Sequence, residues 1–321
     1  MKTEKIHLRV DNPDVTLTTY ILDDSPEMLN GKSRPGILIC PGGAYLNCSD
    51  REAEPIAMKF ASMGYHAFVL RYTVYSGGNV GFPDVDHIPP VKEEVLYPAQ
   101  IRDTGLAMLT LREHAAQWKL DPNKIVLCGF SAGAHNVALY STKWQTEILT
   151  EYFHKDKECF RPAAAILGYT LSDYVFMKEA EGKMNPMDAA FFRVSDTAFL
   201  GSPSAPDSLL DEVSPARHVT QYCPPMFLWA TSEDNLVPVQ HSLLMSYALA
   251  QEKIPFELHI FESGPHGLGL STQATAAAKS QMDPSAAKWA DLAGCWLEKR
   301  FALPLPDLTD YENWMHHDED K

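Results

Sequence analysis

The pattern of apolar and polar residues changes once along the chain. Residues 5–10 and 15–22 alternate apolar and polar side chains on either side of the turn-forming segment 11–14, which predicts an N-terminal antiparallel hairpin. Beyond the hairpin, apolar residues come in short unbroken runs separated by longer amphipathic stretches. This alternation predicts an α/β fold, with a mainly parallel twisted sheet and helices on both faces.

The short apolar runs predict strands at residues 36–40, 66–71, 124–128, 163–168, 226–230 and 256–261. The amphipathic stretches predict helices at residues 52–63, 98–118, 131–144, 239–251 and 285–300. Right-handed crossovers bring the carboxyl ends of such strands to one edge of the sheet, and ligands bind there. Functional residues are therefore expected in the loops that follow the strands.

Two long segments interrupt this rhythm, at residues 72–97 and 169–215, and both start at the carboxyl end of a predicted strand. Long loops in compact domains tend to be functional, so one interpretation is a pair of small lid-like insertions that roof an active site. The other is extra helices whose aromatic residues serve their own packing. No Gly/Ser-rich or charged linker divides the chain, which predicts a single domain over 1–321 with an acidic C-terminal tail at 303–321.

Composition narrows the function classes. The chain has 321 residues, 45% of them hydrophobic, and a formal net charge of −15. This charge disfavours nucleic acid and anionic membranes as partners, and neutral substrates are the easier expectation. The N-terminus lacks an apolar signal core and no 18-residue apolar run occurs, so we expect a cytoplasmic protein without a membrane partner.

The cysteines and the tail do not indicate a metal site. No Cys-x-x-Cys occurs, and Cys40, Cys128, Cys223 and Cys295 lie where an apolar side chain fits, so they are interpreted as buried free thiols. The His and acidic residues of the tail favour a solvated terminus over a metal site. No metal is expected.

The segment with the most chemical information is 124–135, an apolar run that ends in Gly129-Phe130-Ser131-Ala132-Gly133 and continues into helix-forming residues. It predicts a strand, a tight turn and a helix, with Ser131 at the turn. A side chain in place of either glycine would collide with the neighbouring strand or helix if the serine were strained. This is the pattern of the nucleophile elbow in α/β-hydrolases.

A nucleophilic Ser131 needs a histidine base, an acid that orients the base, and donors for an oxyanion. In this fold the chain order is serine, acid, histidine. The best base is His266, which follows the strand at 256–261 in a glycine-rich loop. Packing or surface roles suit the other downstream histidines better, namely His218, His241 and His259.

The acid is expected in the loop after the strand at 226–230, where Glu233 and Asp234 are adjacent. The shorter side chain fixes an imidazole with less loss of entropy, which favours Asp234, although geometry leaves both open. Asp207 and Asp211 lie in a polar turn before that strand and are less attractive.

For the oxyanion, one donor would be the backbone N–H of Ala132. The second is expected from the loop after the strand at 36–40, where Gly42 and Gly43 precede Ala44. Glycines at a strand end let N–H groups turn inward and let a substrate come close. The alternative is a simple Gly-Gly turn, which the presence of the other candidate groups disfavours.

Together these motifs resemble the acetyl-esterase branch of the α/β-hydrolases and are similar to bacterial xylan or xylo-oligosaccharide acetylesterases. The resemblance runs from about Ile6 to Phe301. The matching positions are Pro41-Gly42-Gly43-Ala44-Tyr45, Gly129-Phe130-Ser131-Ala132-Gly133-Ala134-His135, Ser214-Pro215, Asp234 with Val237-Pro238, and His266-Gly267.

The resemblance implies a catalytic triad of Ser131, Asp234 and His266, and so decides for Asp234 over Glu233. It also implies oxyanion donors at the residues Gly43, Ala44 and Ala132. The family commonly has glycine where this chain has Ala44 and Ala134. His135 is interpreted as a hydrogen-bonded residue behind the site. Phe130 is a candidate pocket residue, and Tyr45 either edges the acyl pocket or is a packed tyrosine.

These observations predict a serine carboxylesterase that removes short acyl groups, above all acetyl, from a small-molecule or oligosaccharide ester such as an acetylated sugar. No organic cofactor is expected, and the sequence does not indicate an oligomeric state. One alternative keeps the triad and changes the bond to a peptide or an aryl formamide. Another is a catalytically silent hydrolase fold used for binding.

Overall fold

The computed structural model describes residues 1–77 and 84–319, and these contain one eight-stranded sheet. Its strands are β1 (Lys2–His7), β2 (Thr16–Ile21), β3 (Arg34–Cys40), β4 (His66–Arg71), β5 (Leu120–Phe130), β6 (Ala164–Gly168), β7 (Met226–Thr231) and β8 (Phe256–Phe261). The predicted strands are all present, with bounds shifted by a few residues.

The strand order across the sheet is β1-β2-β4-β3-β5-β6-β7-β8. The β1–β2 and β2–β4 pairs are antiparallel, and every pair from β4 to β8 is parallel. The mainly parallel sheet with an N-terminal antiparallel hairpin is therefore confirmed. Because β3, β5, β6, β7 and β8 run in the same direction, their carboxyl ends and following loops meet at one edge.

The helices are α1 (Glu54–Ala61), α2 (Ala99–Glu113), α3 (Ala115–Trp118), α4 (Ala132–Lys143), α5 (Glu147–Phe153), α6 (Tyr174–Glu181), α7 (Pro186–Leu200), α8 (Asp207–Glu212), α9 (Gln240–Gln251), α10 (Trp289–Phe301) and α11 (Asp310–Glu319). Short 3₁₀ turns precede α1 and α10, where the sequence predicted longer single helices. No described helix has the length and apolar character needed to cross a membrane.

Two hydrophobic cores lie on opposite faces of the sheet. On one face, α2, α4 and α9 pack on side chains such as Leu38 and Leu127. On the other face, α1 and α10 pack on the alternate side chains, among them Ile37 and Val126. Side chains of a strand point alternately to its two faces, so a central strand buried on both sides carries an unbroken apolar run.

The hairpin differs from the prediction in its first strand, which ends at His7 instead of residue 10. The ladder pairs Lys2 with Ile21 and His7 with Thr16. Arg9 bends into the turn, where its guanidinium binds Asp11 and the buried Asp103. The alternating pattern therefore continues for three residues after the strand has ended.

The segment at 169–215 contains α6, α7 and α8, more helix than the sequence suggested. In the segment at 72–97, residues 78–83 lie outside the described residues, and so do residues 320–321 of the tail. The described cysteines carry no disulfide. Cys40, Cys128 and Cys223 are buried as predicted, whereas Cys295 is exposed, because it lies on the outer side of α10.

Candidate active site

Ser131 lies on a tight turn between β5 and α4. Its φ of 52° and ψ of −122° are values that residues with a side chain rarely adopt. A Cβ on Gly129 would lie 2.3 Å from the carbonyl oxygen of Gly133, and one on Gly133 would lie 2.1 Å from that of Cys40. The strand, turn and helix predicted around Ser131, with glycines at the points of close approach, are confirmed.

The carboxyl edge of the sheet brings three of the predicted residues into one hydrogen-bonded chain. His266 Nε2 lies 2.8 Å from Ser131 Oγ, and His266 Nδ1 lies 2.7 Å from Asp234 Oδ2. Asp234 Oδ1 accepts the backbone N–H groups of Leu236 at 3.0 Å and Val237 at 2.9 Å. These bonds fix the carboxylate, which in turn orients the imidazole so that Nε2 faces the serine hydroxyl.

Glu233 does not reach His266. Its Oε2 accepts the backbone N–H of Gly264 at 3.0 Å, and the residue is exposed. The side chain of Asp234 is only 1% exposed. The structure thus joins Asp234 to His266 and leaves Glu233 to hold the loop that carries the base.

The other candidate histidines bond elsewhere. His241 is buried, and its Nδ1 accepts the backbone N–H of Ser172. His259 pairs with Glu257, and His218 Nε2 donates to the backbone carbonyl of Asp211. These contacts suit the packing and surface roles expected for them.

Opposing effects act on the pKa of His266. Burial lowers it, whereas the charge and hydrogen bond of Asp234 and the charge of Glu52 raise it, and the net result is a pKa above the ordinary value. The environment therefore favours the imidazolium, the form that His266 would take if it acted as the base expected from the sequence.

The loop after β3, residues 41–45, lies next to Ser131 and turns its backbone through unusual conformations. It is called the oxyanion loop below, after the role that the sequence predicts for it. Gly43 has φ 136°, Ala44 has φ 54° and Tyr45 has φ 59°. Ala132 is the first residue of α4, so its N–H is one of the helix donors without an intrahelical acceptor. The loop and the helix end thus lie where the sequence predicts backbone N–H donors for an oxyanion at Ser131.

Neither candidate pocket residue lines the cavity beside Ser131: for Phe130 this is a correction, and for Tyr45 it is the packed alternative. Phe130 is fully buried on the α1 and α10 side of the sheet, where its ring contacts Trp289 at 5.6 Å between centroids. Tyr45 is 1% exposed and stacks on Phe199 of α7 with centroids 4.0 Å apart. Both side chains belong to the core, because the backbone turns them away from the cavity beside Ser131.

His135 is a buried structural residue. It donates from Nε2 to the carbonyl of Val213 at 2.7 Å, and its Nδ1 accepts the Tyr45 hydroxyl. Burial lowers the pKa of His135 to about 4, so it is neutral near pH 7. Its contacts fasten the oxyanion loop to the segment that precedes β7, in agreement with the role expected from the sequence.

A cavity of about 290 Å³ opens above Ser131 and His266. Its apolar lining includes Leu46, Phe191 and Leu236, and its polar lining includes the residues Asn47, Arg51 and Gln281. Phe191 comes from α7, so the segment at 169–215 reaches the site. The cavity is small, at the lower end of the range for ligand pockets.

Sequence reasoning missed most of this lining, and above all Arg51 and Glu52. Arg51 donates to the carbonyl oxygens of Gly267 and Thr275, which belong to the loop and the region after His266. Glu52 accepts the N–H of Gly42 at 2.7 Å. In the sequence these two residues are indistinguishable from the ordinary charged residues that begin a surface helix.

Comparison with known proteins identifies the family of the chain. The BD-FAE family model matches residues 25–249. The chain is 31% identical over 235 residues to endo-1,4-beta-xylanase B of Butyrivibrio fibrisolvens, which covers 73% of this chain and 32% of that protein. It spans about a third to a half of the length of the curated relatives that it matches.

Among the solved structures that match nearly the whole chain are the following two. MGS-M1, an alpha/beta hydrolase enzyme from a Medee basin deep-sea metagenome library, is 32% identical with a TM-score of 0.68, covering 95% of this chain and 99% of that one. An acetyl ester-xyloside bifunctional hydrolase from Caldicellulosiruptor lactoaceticus is 29% identical with a TM-score of 0.70, covering 92% and 96%. The chain therefore belongs to the BD-FAE family, has the α/β-hydrolase fold and is similar to known esterases.

Proposed function

We propose that the protein is a serine carboxylesterase that hydrolyses short acyl esters, acetyl esters above all. The observation that carries the proposal is the chain of hydrogen bonds from Ser131 Oγ through His266 to Asp234, which ends at the floor of an open cavity. A serine hydroxyl acquires nucleophilic character only when a base is positioned to take its proton, and this arrangement supplies that base.

The reaction proceeds in two halves. Ser131 Oγ attacks the ester carbonyl while its proton moves to His266 Nε2, and the carbonyl oxygen becomes an oxyanion facing the N–H groups of Gly43, Ala44 and Ala132. His266 then gives the proton to the leaving alcohol, and an acyl-enzyme remains. Water, deprotonated by the same nitrogen, releases the acid and restores the serine. Asp234 stabilises the imidazolium throughout and is not itself protonated.

The size and the lining of the cavity favour a substrate with a short acyl group and a polar alcohol. A volume of about 290 Å³, shared by both parts of the substrate, leaves little room for a long chain beside Phe191. The polar side chains Asn47 and Gln281 suit hydroxyl groups. The acetyl ester-xyloside hydrolase among the similar structures agrees with an acetylated sugar as substrate.

The test is the turnover of p-nitrophenyl acetate by Ser131→Ala. We expect kcat/KM to fall by several orders of magnitude, because the acyl-enzyme cannot form. Parallel assays of butyryl and octanoyl esters, a peptide, an aryl formamide and an acetylated xylo-oligosaccharide define the bond and the chain length. Near-normal turnover by the variant, or a wild type that prefers the formamide or the peptide, would refute the proposal.

A further inference from the structure

Glu52 is a buried carboxylate in the wall of the cavity that the proposed mechanism does not use. The residue is 3% exposed and ends the 3₁₀ turn Asp50–Glu52, behind the oxyanion loop. Its Oε2 accepts the backbone N–H of Gly42 at 2.7 Å, and its Oε1 accepts the hydroxyl of Tyr169. Neither contact is with a cation. Burying a carboxylate in this way is costly, so it needs an explanation.

Tyr169 extends the contact to the loop that carries the base. Its hydroxyl oxygen accepts the backbone N–H of Gly269 at 3.0 Å, and its ring lies 5.0 Å from that of His266 between centroids. Burial and the nearby charge of Glu52 raise the pKa of Tyr169 well above 10, so it remains a phenol that can donate. One carboxylate thus ties the oxyanion loop, the end of β6 and the base loop together.

The charge of Glu52 also acts on its surroundings. Burial has the largest effect on the pKa of His266 and lowers it. The charge and hydrogen bond of Asp234 raise this pKa, and the charge of Glu52 raises it further. Burial raises the pKa values of Tyr72, which directly follows β4, and of Cys128 in β5, and the charge of Glu52 adds to that effect. The neighbouring cation is Arg51, whose guanidinium is held by the carbonyls of Gly267 and Thr275.

We propose that Glu52 is a positioning residue for the esterase reaction: it fixes the Gly42 end of the oxyanion loop and supplies a second negative charge that stabilises the His266 imidazolium. The inference rests on the proposed function, since it assigns to His266 the role of base. Glu52 itself takes up no proton in the cycle. The proton of Ser131 moves to His266 Nε2 and from there to the leaving alcohol.

The test is the pH profile of kcat/KM for p-nitrophenyl acetate in the wild type and Glu52→Gln. His266 must be neutral to accept a proton, so activity falls as the pH drops below its pKa. Glu52 raises that pKa, and removing its charge moves the acidic limb to lower pH. The plateau should fall about ten- to a hundredfold, because the oxyanion loop is held less firmly and the imidazolium is less stabilised.

Glu54→Gln is the matched control. It removes a carboxylate two residues further along, from an exposed side chain that binds the hydroxyl of Tyr20. Both the limb and the plateau should match the wild type. An equal shift in this variant would mean that any loss of charge on this segment moves the limb, and would overturn the assignment to Glu52.

Tyr169→Phe distinguishes the effect of the hydrogen-bonded bridge through the Tyr169 hydroxyl from the effect of the Glu52 charge. This variant also provides a test if Glu52→Gln does not fold. It removes the hydroxyl bridge and keeps the carboxylate, so the plateau should fall while the limb does not move to lower pH. If the plateau of Tyr169→Phe is unchanged, or if its acidic limb moves to lower pH, the proposal is contradicted. It is also contradicted by a Glu52→Gln variant that loses activity with its limb in place, which is what a merely structural residue would show.

Ser131→Ala in the same assay distinguishes the two proposals. If that variant retains turnover, the esterase mechanism itself is wrong. If it is inactive and Glu52→Gln behaves like the wild type, only the role of Glu52 is refuted.

Discussion

Different kinds of contact hold the floor of the cavity, which is the turn around Ser131, and its roof, which is α7. On the floor, the conformation of Ser131 is enforced by backbone groups that leave no space for a side chain at Gly129 or Gly133. On the roof, α7 rests on the oxyanion loop through side chains: Ser195 Oγ donates to the carbonyl of Ala44 at 2.9 Å, and Phe199 stacks on Tyr45.

Under the proposed function, this difference separates the residues that react from those that select the acyl group. Backbone contacts at the floor cannot be changed by a substitution without moving the main chain, so the reacting atoms keep their places. Side-chain contacts at the roof can be exchanged one at a time, so the shape of the acyl site can change while the floor stays intact. Variants of the floor should therefore lose activity, and variants of the roof should change preference.

The largest effect is expected from Asp234→Asn. The amide leaves the shape of the site intact but no longer holds the imidazole in its working tautomer, so kcat should fall about 10⁴-fold. Glu233→Gln is the comparison, since it weakens one hydrogen bond to the base loop and should cost about tenfold at most. Steady-state kinetics with p-nitrophenyl acetate measures both. Equal losses in the two variants would contradict the assignment of the acid.

Gly133→Ala comes next. Its Cβ would lie 2.1 Å from the carbonyl oxygen of Cys40, and the strand cannot give way cheaply. We expect the free energy of unfolding to fall by about 1–3 kcal/mol, and kcat/KM to fall about a hundredfold as Ser131 shifts.

Gly182→Ala is the matched control for this prediction, because a Cβ there meets no atom within 4 Å. Its stability should be equal to that of the wild type or slightly higher. Denaturant unfolding compares the two variants. If Gly133→Ala were as stable and active as Gly182→Ala, the floor would not be held by backbone contacts.

The smallest effect is expected at the roof, from Phe191→Ala. Removing the ring enlarges the cavity, so the ratio of butyryl to acetyl kcat/KM should rise about tenfold while acetyl turnover changes only a few-fold. Met187→Ala, on the same helix but 71% exposed, should leave the ratio unchanged. A ratio that stays constant in Phe191→Ala, measured with p-nitrophenyl esters, would remove α7 from the determinants of chain length.

The sequence predicted the floor well because its determinants are local. The apolar run of β5, the two glycines around Ser131 and the order of Asp234 and His266 are all legible along the chain. Ser131, Asp234 and His266 each follow a strand of the parallel sheet, and the topology of such a sheet brings the strand ends together.

The segment at 169–215 was expected over the site, and α7 lies there, but the individual residues of the wall and roof escaped prediction because their contacts join distant segments. Glu52 meets Tyr169, which lies 117 positions away, and no local pattern marks either residue. For Phe130 a signal existed: it shares strand parity with Val126 and Cys128, and all three face the core of α1 and α10. Parity along β5 places its ring in that core and away from the cavity.

The most direct measurement is covalent labelling with a fluorophosphonate, followed by mass spectrometry of the digested protein. The account predicts one adduct, on Ser131, that is absent from Ser131→Ala and forms much more slowly in His266→Ala, because the hydroxyl then lacks its base. A wild type that does not react, or that carries the adduct on another residue, would contradict the claim that Ser131 is the nucleophile.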